Sequence, residues 1–290
     1  MKTAIIILNY NDAERTGALV RTLRNYSCPD HIIVVDNCSS DDSFSRLSAL
    51  SSDRVDLLRT RKNGGYARGN NAGIRYAIEK YRPDVLFVAN PDVSFSEETA
   101  TAMAKLIMEN QGSGASCPIG VCAPLVNQGY NVWDLPGFPG IIMSLFLVAF
   151  TLHKRRIRKR ILSDSRPVFP VGVVEGSFLA ISRQAYEKAG GLDPRTFLYA
   201  EEIIFAKRLK EAGFIECVLS NYRYDHLHSA SIRKEYHSSK AAAFHHFRDS
   251  FRIYNRYYLH TGPVRNFIFD LAWGAAYLER RLYDFLKTIL

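Results

Sequence analysis

Short apolar runs rich in strand-forming residues alternate with helical segments four times within the first 110 residues. The clearest run, Val85–Ala89, is apolar at every position, which is typical of a strand buried on both faces of a sheet. Comparable runs precede it at residues 4–8, His31–Asp36 and Val55–Arg59. This alternation predicts an α/β fold with a mostly parallel sheet built by right-handed crossovers.

Two aspartates stand where predicted strands end. Asp36 closes the second run, and Asp92 follows the fourth run after Asn90 and Pro91. Proline stops the strand there because it has no N–H to donate to a neighbouring strand. Open α/β sheets bind their ligands at the carboxyl ends of the strands, so we expect both carboxylates to line one crevice. Taken singly, each aspartate is equally consistent with a turn residue.

Residues 63–73 are rich in glycine and asparagine and are predicted to form a loop that leads into a helix ending near Lys80. Backbone amides of such loops bind phosphate groups. The segment lacks both the Gly-Lys-Ser/Thr ending of a P-loop and the G-x-G-x-x-G spacing of a dinucleotide fingerprint. It is therefore a weak phosphate-site signal on its own.

The bulk composition favours anionic partners. The chain has 38 Lys and Arg against 29 Asp and Glu, a net charge of +9, which suits nucleotides, nucleic acid or acidic lipid headgroups. Its five cysteines lack paired metal spacing, and Met1 runs almost directly into the first strand with no secretory signal. We therefore expect reduced thiols and a cytoplasmic protein.

An apolar run at residues 141–152 is followed at once by a basic run at residues 153–160. The apolar run is too short to span a bilayer, which takes about 20 helical residues. Two interpretations stay open. The pair forms a helix lying on an anionic membrane face, or it forms a core helix followed by a solvated basic turn.

The second half of the chain supplies further candidate groups. A strand is predicted over residues 173–181, and a helix begins at Glu201 and Glu202, where the helix dipole favours acidic residues even without a function. From about residue 238 the chain is predicted to be helical, basic and aromatic, with the aromatic residues packing helices rather than binding sugar. Asp92 beside a diphosphate would suit Mg²⁺ or Mn²⁺, and a carboxylate at the start of the late helix could take a proton from a hydroxyl.

Several motifs in consistent order resemble those of family 2 inverting glycosyltransferases, and most of all the rhamnosyltransferase-like branch. They are Asn9-Tyr10-Asn11, Val34-Val35-Asp36-Asn37, Asn63-Gly64-Gly65-Tyr66-Ala67, Asn90-Pro91-Asp92, Glu175-Gly176-Ser177-Phe178 and Tyr199-x-Glu201-Glu202. The likeness covers residues 3 to 231. It implies a GT-A fold, which is a Rossmann-like nucleotide-binding sheet at residues 1–112 joined to an acceptor-binding half at residues 113–231. Residues 141–160 would be an insert, and residues 232–290 a helical extension.

The resemblance also assigns roles. Asp92 would be the metal ligand, assisted by His226 rather than His228, and Glu202 would be the catalytic base, with Glu201 as its competitor. The donor nucleotide sugar would be contacted by Asn9, Tyr10, Asn11, Asp36, Asn63, Gly65, Arg68, Asn70 and Asn90.

The implied function is inverting transfer of a sugar, with rhamnose as one candidate, in surface polysaccharide synthesis. The donor would be a dTDP- or UDP-sugar, and the acceptor a hydroxyl of a saccharide or lipid-linked saccharide. A divalent metal (Mg²⁺ or Mn²⁺) would be the cofactor. Residues 141–160 and the C-terminal helices would contact the inner membrane face, and nucleic acid would not be a partner.

The chain departs from the family pattern at the base. Glu202 stands where the family has aspartate, and Ile204 replaces a second aspartate outright. One alternative is therefore a catalytically inactive basic adaptor that binds membrane or nucleic acid. A sugar-1-phosphate nucleotidyltransferase is disfavoured because residues 9–12, after the first strand, hold no basic glycine-rich loop.

Overall fold

A computed structural model describes residues 1–111, 117–128, 130–226 and 240–289. The first part alternates strands and helices as predicted: β1 Thr3–Asn9, α1 Ala13–Leu23, β2 His31–Asp36, α2 Ser43–Ser48, β3 Val55–Arg59, α3 Tyr66–Tyr81, β4 Val85–Ala89, β5 Val93–Phe95 and α4 Glu97–Gln111. The four predicted strands are confirmed as β1 to β4. His228, the weaker histidine candidate, lies outside the described residues.

The second part is less regular: β6 Ile119–Val126, β7 Val132–Trp133, α5 Phe138–Leu145, α6 Leu147–Ser163, β8 Val168–Val171, β9 Val173–Val174, β10 Phe178–Ser182, α7 Arg183–Ala189, α8 Glu201–Glu211, β11 Ile215–His226, α9 Lys240–Tyr257 and α10 Pro263–Ile289. The single strand predicted over residues 173–181 is wrong. It is two strands, β9 and β10, which belong to different sheets, with Glu175 and Gly176 in the break.

The main sheet has the strand order β3-β2-β1-β4-β10-β6-β11-β5, with β8 also paired to β11. Strands β1 to β4 are mutually parallel, and the register sets Asn9 beside Asp36. Strand β10 is antiparallel to both of its neighbours, while β11 runs parallel to β6. The carboxyl edge of β1, β2 and β4 therefore gathers the polar residues that follow these strands.

Apolar side chains cover both faces of this sheet. Ile5 and Ile7 of β1 belong to one core cluster, and Ile6 between them belongs to the cluster on the opposite face. Every residue of β4 is buried. This two-sided burial explains why β1, β2 and β4 are almost continuously apolar in sequence.

A third core cluster joins the C-terminal helices to the rest of the fold. Phe244, Phe251 and Tyr254 of α9 pack there with Ile204 of α8 and Ile141 of α5, and the cluster also takes in Phe269 and Ala276 of α10. Ile204, which replaces the family's second aspartate, is completely buried in it. The substitution is thus accompanied by an apolar environment in which a carboxylate would be unpaired.

Helices α5 and α6 meet at a sharp corner held by α10. Glu279 accepts a hydrogen bond from the Leu147 amide at the start of α6 (2.9 Å), and Arg280 donates to the Leu145 carbonyl at the end of α5. Within the described residues, no single helix is both long and apolar enough to cross a bilayer. Helix α5 with residues 147–161 of α6 would satisfy that test only as a pair, and the two are bent by 116°.

Candidate active site

The carboxyl edge of β1 and β2 carries a saturated hydrogen-bond network. Asn9 Nδ2 donates to Asp36 Oδ1 (2.9 Å) and to Ser39 Oγ (3.1 Å), while its Oδ1 accepts from Thr16 Oγ1 (2.9 Å). The guanidinium of Arg59 lies 3.4 Å from Asp36 Oδ2. Asn9 and Asp36 are both completely buried. In this conformation Asn9 therefore positions Asp36, and Arg59 covers the carboxylate that was predicted to contact the nucleotide base.

Asn11 ties the loop after β1 to the loop after β2. Its backbone is in the left-handed region (φ 53°), and its side chain accepts from the Ser40 amide (2.9 Å) and donates to Ser40 Oγ (3.1 Å). Tyr10 beside it is half-buried. The two strand-end loops thus form one rigid rim, in which Tyr10 and Asn11 stay predicted donor contacts.

The glycine-rich segment is shorter as a loop than predicted. Helix α3 already begins at Tyr66, so Arg68 and Asn70 lie in its first turns. Asn63 Oδ1 accepts from the Gly65 amide (3.0 Å) and from Asn37 Nδ2 (2.9 Å), which shapes the turn before the helix. Gly65 has φ 84°, a conformation that glycine adopts without strain.

The start of α3 is attached to the segment that precedes α8. The Tyr66 amide donates to the Phe197 carbonyl (2.9 Å), and Arg68 Nε donates to the Pro194 carbonyl (2.7 Å). Asn70 is completely buried, and its Nδ2 donates to the Tyr66 carbonyl (3.1 Å). Asn70 is enclosed in this conformation, as Asp36 is, and its contact with the donor stays a prediction.

Asp92 and His226 meet at the end of β4. Strand β11 pairs with β5 so that His226 lies opposite Val93, and this register brings its Nε2 to 3.3 Å from Asp92 Oδ1. On the other side of the ring, Nδ1 lies 3.5 Å from Glu175 Oε1. The Asn90 amide donates to the Ser177 carbonyl (2.8 Å), which fixes the turn that carries Asp92.

The pKa of His226 reflects these two carboxylates. Burial alone would lower it, but the hydrogen bonds to Asp92 and Glu175 outweigh burial and raise the pKa to about 9. The described residues hold no group of three His, Cys, Asp or Glu side chains that could enclose a metal ion. A pair such as Asp92 and His226 fits Mg²⁺ or Mn²⁺ once the imidazole has lost its extra proton, since these ions take their remaining ligands from substrate phosphates and water.

The two glutamates follow a strained turn. Tyr199 (φ 71°) and Ala200 (φ 63°) are consecutive non-glycine residues in the left-handed region, and α8 starts immediately after them. Such a backbone costs roughly 1–3 kcal/mol per residue and is characteristic of functional sites. Glu201 is buried, whereas Glu202 is half-buried.

A small cavity of about 20 Å³, enough for roughly one water molecule, lies behind the start of α8. Glu201, Glu202 and Glu216 all line it. Burial raises the pKa of Glu216 to about 8 and that of Glu202 to about 7, with the Glu175 charge also raising the latter. Burial and the Glu202 charge hold the pKa of Glu201 well above its ordinary value. A carboxyl with a pKa near neutrality suits a general base.

Glu202 also lines a larger cleft of about 400 Å³ on its other side. The cleft is walled mainly by aromatic and apolar residues, including Tyr130, Trp133, Phe150, Tyr199, Phe247 and Phe251. Its volume lies in the range of ligand pockets, and its polar groups include the carboxylates of Glu202 and Asp134. The arrangement can hold an amphipathic molecule with a hydroxyl directed at Glu202.

Sequence reasoning missed three parts of this site. Glu175 was recognised only as part of a motif, although it touches His226 and influences Glu202. Glu216 gave no signal, because it is a single acidic residue within a short, mostly apolar run. The late aromatic residues were assigned to packing alone, yet Phe247 and Phe251 also wall the cleft.

Two solved glycosyltransferase structures share the fold of this chain. A mannosyltransferase of Pyrobaculum calidifontis in complex with GDP-Man and Mn²⁺ superposes with a TM-score of 0.58, covering 96% of this chain and 73% of that one at 13% identity. S. aureus TarS 1–349 in complex with UDP-GlcNAc superposes with a TM-score of 0.52, covering 98% of this chain and 73% of that one at 15% identity. The predicted GT-A fold is confirmed.

The sequence comparison then gives the family. Residues 4–189 match Glycosyl transferase family 2, so the chain belongs to this family and is a glycosyltransferase. A low-salt glycan biosynthesis hexosyltransferase of Haloferax volcanii is 26% identical over 87% of this chain and 75% of its own length. An N-acetylglucosaminyl-diphospho-decaprenol L-rhamnosyltransferase of Mycobacterium tuberculosis is 26% identical over 75% of this chain and 72% of its own length. These relatives confirm the rhamnosyltransferase-like resemblance and do not favour the inactive adaptor.

Proposed function

We propose that this chain transfers a sugar from a nucleoside diphosphate to an acceptor hydroxyl with inversion at the anomeric carbon. The proposal rests on a chain of interacting side chains that runs from the strand edge to the cleft. Asp92 contacts His226, His226 contacts Glu175, and the Glu175 charge acts on Glu202. The diphosphate end and the acceptor end of a reaction would therefore share one site.

In this mechanism the acceptor hydroxyl lies in the aromatic cleft and Glu202 takes its proton. The oxygen bonds to the anomeric carbon as the bond from that carbon to the diphosphate oxygen breaks, and the nucleoside diphosphate leaves from the opposite face. Asp92 and His226 would hold a divalent metal ion, which when bound neutralises charge on the departing diphosphate. The half-buried position of Glu202 limits water access to the base.

The proposed donor is a dTDP- or UDP-sugar, with rhamnose as the leading candidate. Relatives named as rhamnosyltransferases support the sugar, among them the Mycobacterium tuberculosis enzyme and the Shigella flexneri dTDP-rhamnosyl transferase. The mannosyltransferase solved with GDP-Man and Mn²⁺ supports the metal. Tyr10, Asn11, Asp36, Asn63, Gly65, Arg68, Asn70 and Asn90 are the proposed donor contacts, with Asn9 positioning Asp36.

The proposed acceptor is a lipid-linked saccharide at a membrane surface, in cell-surface polysaccharide synthesis. The diphospho-decaprenol in the name of one relative supports this class. One face of α10 carries eight apolar residues, 44 to 72% exposed, at mostly three- and four-residue steps: Val264, Phe267, Ile268, Leu271, Leu278, Leu282, Phe285 and Leu286. Together with the basic residues of α6 this face suits an anionic bilayer surface.

Thermal unfolding with UDP, dTDP, GDP or ADP, with and without Mn²⁺, tests the donor side. Binding to the folded state stabilises it by about 2.7 kcal/mol at a hundredfold excess over the dissociation constant. We expect a Mn²⁺-dependent shift with UDP or dTDP that disappears in Asp92→Ala and persists in Asp134→Ala, an exposed carboxylate outside the strand edge. No shift with any nucleotide would contradict the proposed function.

Co-sedimentation with phosphatidylglycerol vesicles tests the membrane side. Replacing Leu271 and Leu278 by serine should lower the bound fraction several-fold without changing thermal stability, because both side chains are mostly exposed. Unchanged vesicle binding in that variant would refute membrane contact through α10.

A further inference from the structure

A basic groove runs along α6 beside the aromatic cleft. It has a volume of about 570 Å³ and lies between α6 and Asp134. Its lining residues on α6 follow helical steps and therefore share one side of the helix: His153, Arg156, Ile157, Lys159, Arg160 and Ser163. The groove lies outside the strand edge proposed to bind the donor.

Two of the three Arg and Lys side chains of this groove form no ion pair within the described residues. Arg160 forms a two-pronged ion pair with Asp134 at 2.9 and 3.1 Å. Arg156 and Lys159 are exposed and form no ion pair with any residue in the described parts of the chain. Among the described residues, the charges of Arg156 and Lys159 therefore stay without an ion pair, which suits the phosphate groups of a ligand.

The groove is continuous with the cleft that contains the proposed base. Asp134 and His153 line both of them, and Glu202 lines the cleft. Lys154 Nζ lies 4.7 Å from the centre of the Tyr130 ring, which is itself a cleft wall. A single ligand could therefore extend from Glu202 to Arg156 and Lys159.

The same helices offer apolar surface next to the groove. Met143 and Phe150 wall the cleft and are 51% and 40% exposed, and Val148 and Leu152 are more exposed still. Cleft, cationic groove and apolar surface thus lie along one helix pair. The order of aromatic cleft, cationic groove and apolar surface matches a molecule with a sugar, an anionic linkage and a hydrocarbon chain.

We propose that this groove binds the phosphate or diphosphate linkage of a lipid-linked acceptor and so holds the acceptor sugar in the aromatic cleft. The proposal rests on the proposed function, because it places the acceptor of that reaction. It assigns Arg156 and Lys159 to the acceptor and leaves the donor diphosphate at the strand edge.

Binding of farnesyl diphosphate and of farnesol, measured by calorimetry, tests this assignment. The variants are Arg156→Gln, Lys159→Gln and both together. Arg155→Gln is the matched control, an exposed neighbour on the same helix that does not line the groove. We expect each groove substitution to weaken farnesyl diphosphate binding about tenfold, since each removes one charge-assisted contact. Arg155→Gln should bind like the parent, and farnesol should not distinguish the variants.

Equal losses in Arg155→Gln and Arg156→Gln would overturn the proposal by showing a general surface-charge effect, as would unchanged binding in the double variant. Loss of binding to phosphatidylglycerol vesicles with farnesyl diphosphate binding intact would also overturn it, by assigning the groove to phospholipid headgroups. The nucleotide-induced thermal shift is measured on the same variants. If neither the parent nor any variant shows a nucleotide-induced shift, the proposed function is refuted. A shift that persists in the double variant shows that the groove is separate from the donor site.

Discussion

The strand edge proposed to bind the donor and the aromatic cleft proposed to hold the acceptor are built on opposite principles. At the donor edge, Asn9, Asp36 and Asn63 are held by hydrogen bonds from adjacent strand ends, and their arrangement follows from the register of β1 and β2. The acceptor cleft is walled by aromatic side chains from segments far apart in sequence, around the half-buried Glu202. The difference teaches that the geometry of the proposed donor edge is fixed by the sheet, whereas the cleft can change through α5, α6 and α9 with little effect on that sheet.

The largest expected effect is on the cleft side, at the base. Glu202→Gln should lower kcat by about 10²- to 10⁴-fold, because the amide cannot accept the acceptor proton. Binding of the donor nucleotide, measured by thermal shift, should stay unchanged. Glu201→Gln is the matched control and should retain most of its activity. If Glu201→Gln were the more damaging change, the assignment of the base would move to Glu201.

The next effect concerns the packing behind that base. Ile204→Asp should destabilise the fold by about 3–5 kcal/mol in urea unfolding, because it places an unpaired carboxylate in the third core cluster. Ile204→Val should cost only about 0.5–1.5 kcal/mol. An Ile204→Asp protein as stable as the parent would show that the C-terminal helices do not seal this position.

A smaller effect is expected where the two regions meet. Gly65→Ala should cost about 1–3 kcal/mol, since φ is 84° and the added Cβ would lie 2.2 Å from the Phe197 carbonyl oxygen. Gly64→Ala is the control, because its Cβ would meet side-chain atoms of Arg68, with Cδ at 2.7 Å and Cβ at 3.0 Å, and no backbone atom. Equal stabilities of the two variants in urea unfolding would show that the attachment of α3 to the α8 segment is loose.

The smallest expected effect is a gradual dependence of kcat and of fold stability on pH. Glu202 must be deprotonated to act, so kcat should fall about tenfold per pH unit below a midpoint near 7. The effect of Glu202 on the stability of the fold should change with pH in the opposite direction to kcat. Its pKa is higher in the folded state than the ordinary 4.5, so it stabilises the fold as pH falls from about 7 to 4.5. A kcat midpoint that is unchanged in the residual activity of Glu202→Gln would assign the titration to another group, such as Glu216.

The first four strands and their parallel sheet could be predicted from sequence because buried parallel strands leave a distinctive apolar pattern. The extent of the glycine-rich loop could not. Gly69 and Gly73 lie inside α3, where an added Cβ would come within 2.3 Å of Leu8 and 2.7 Å of Ile6. These glycines permit close packing of a helix on a strand, and composition alone does not distinguish this use from a loop.

The cleft could not be predicted for a different reason. Its walls come from Tyr130, Trp133, Phe150, Phe247 and Phe251, which converge only through tertiary packing. The pairing of Asp92 with His226 was inferred from family resemblance, and its physical cause became visible only in the register of β11 with β5.

The path of β11 has a consequence for how the protein is made. Strand β5 follows β4 by three residues, yet β10, β6 and β11 come between them in the order of the sheet. The partner of β5, and with it the partner of Asp92, is translated about 130 residues later. At roughly 5–20 residues per second, a ribosome needs on the order of ten seconds to supply it. During that interval the edge of β5 is unpaired, so a nascent chain of this protein is expected to be a substrate for chaperones until His226 has emerged.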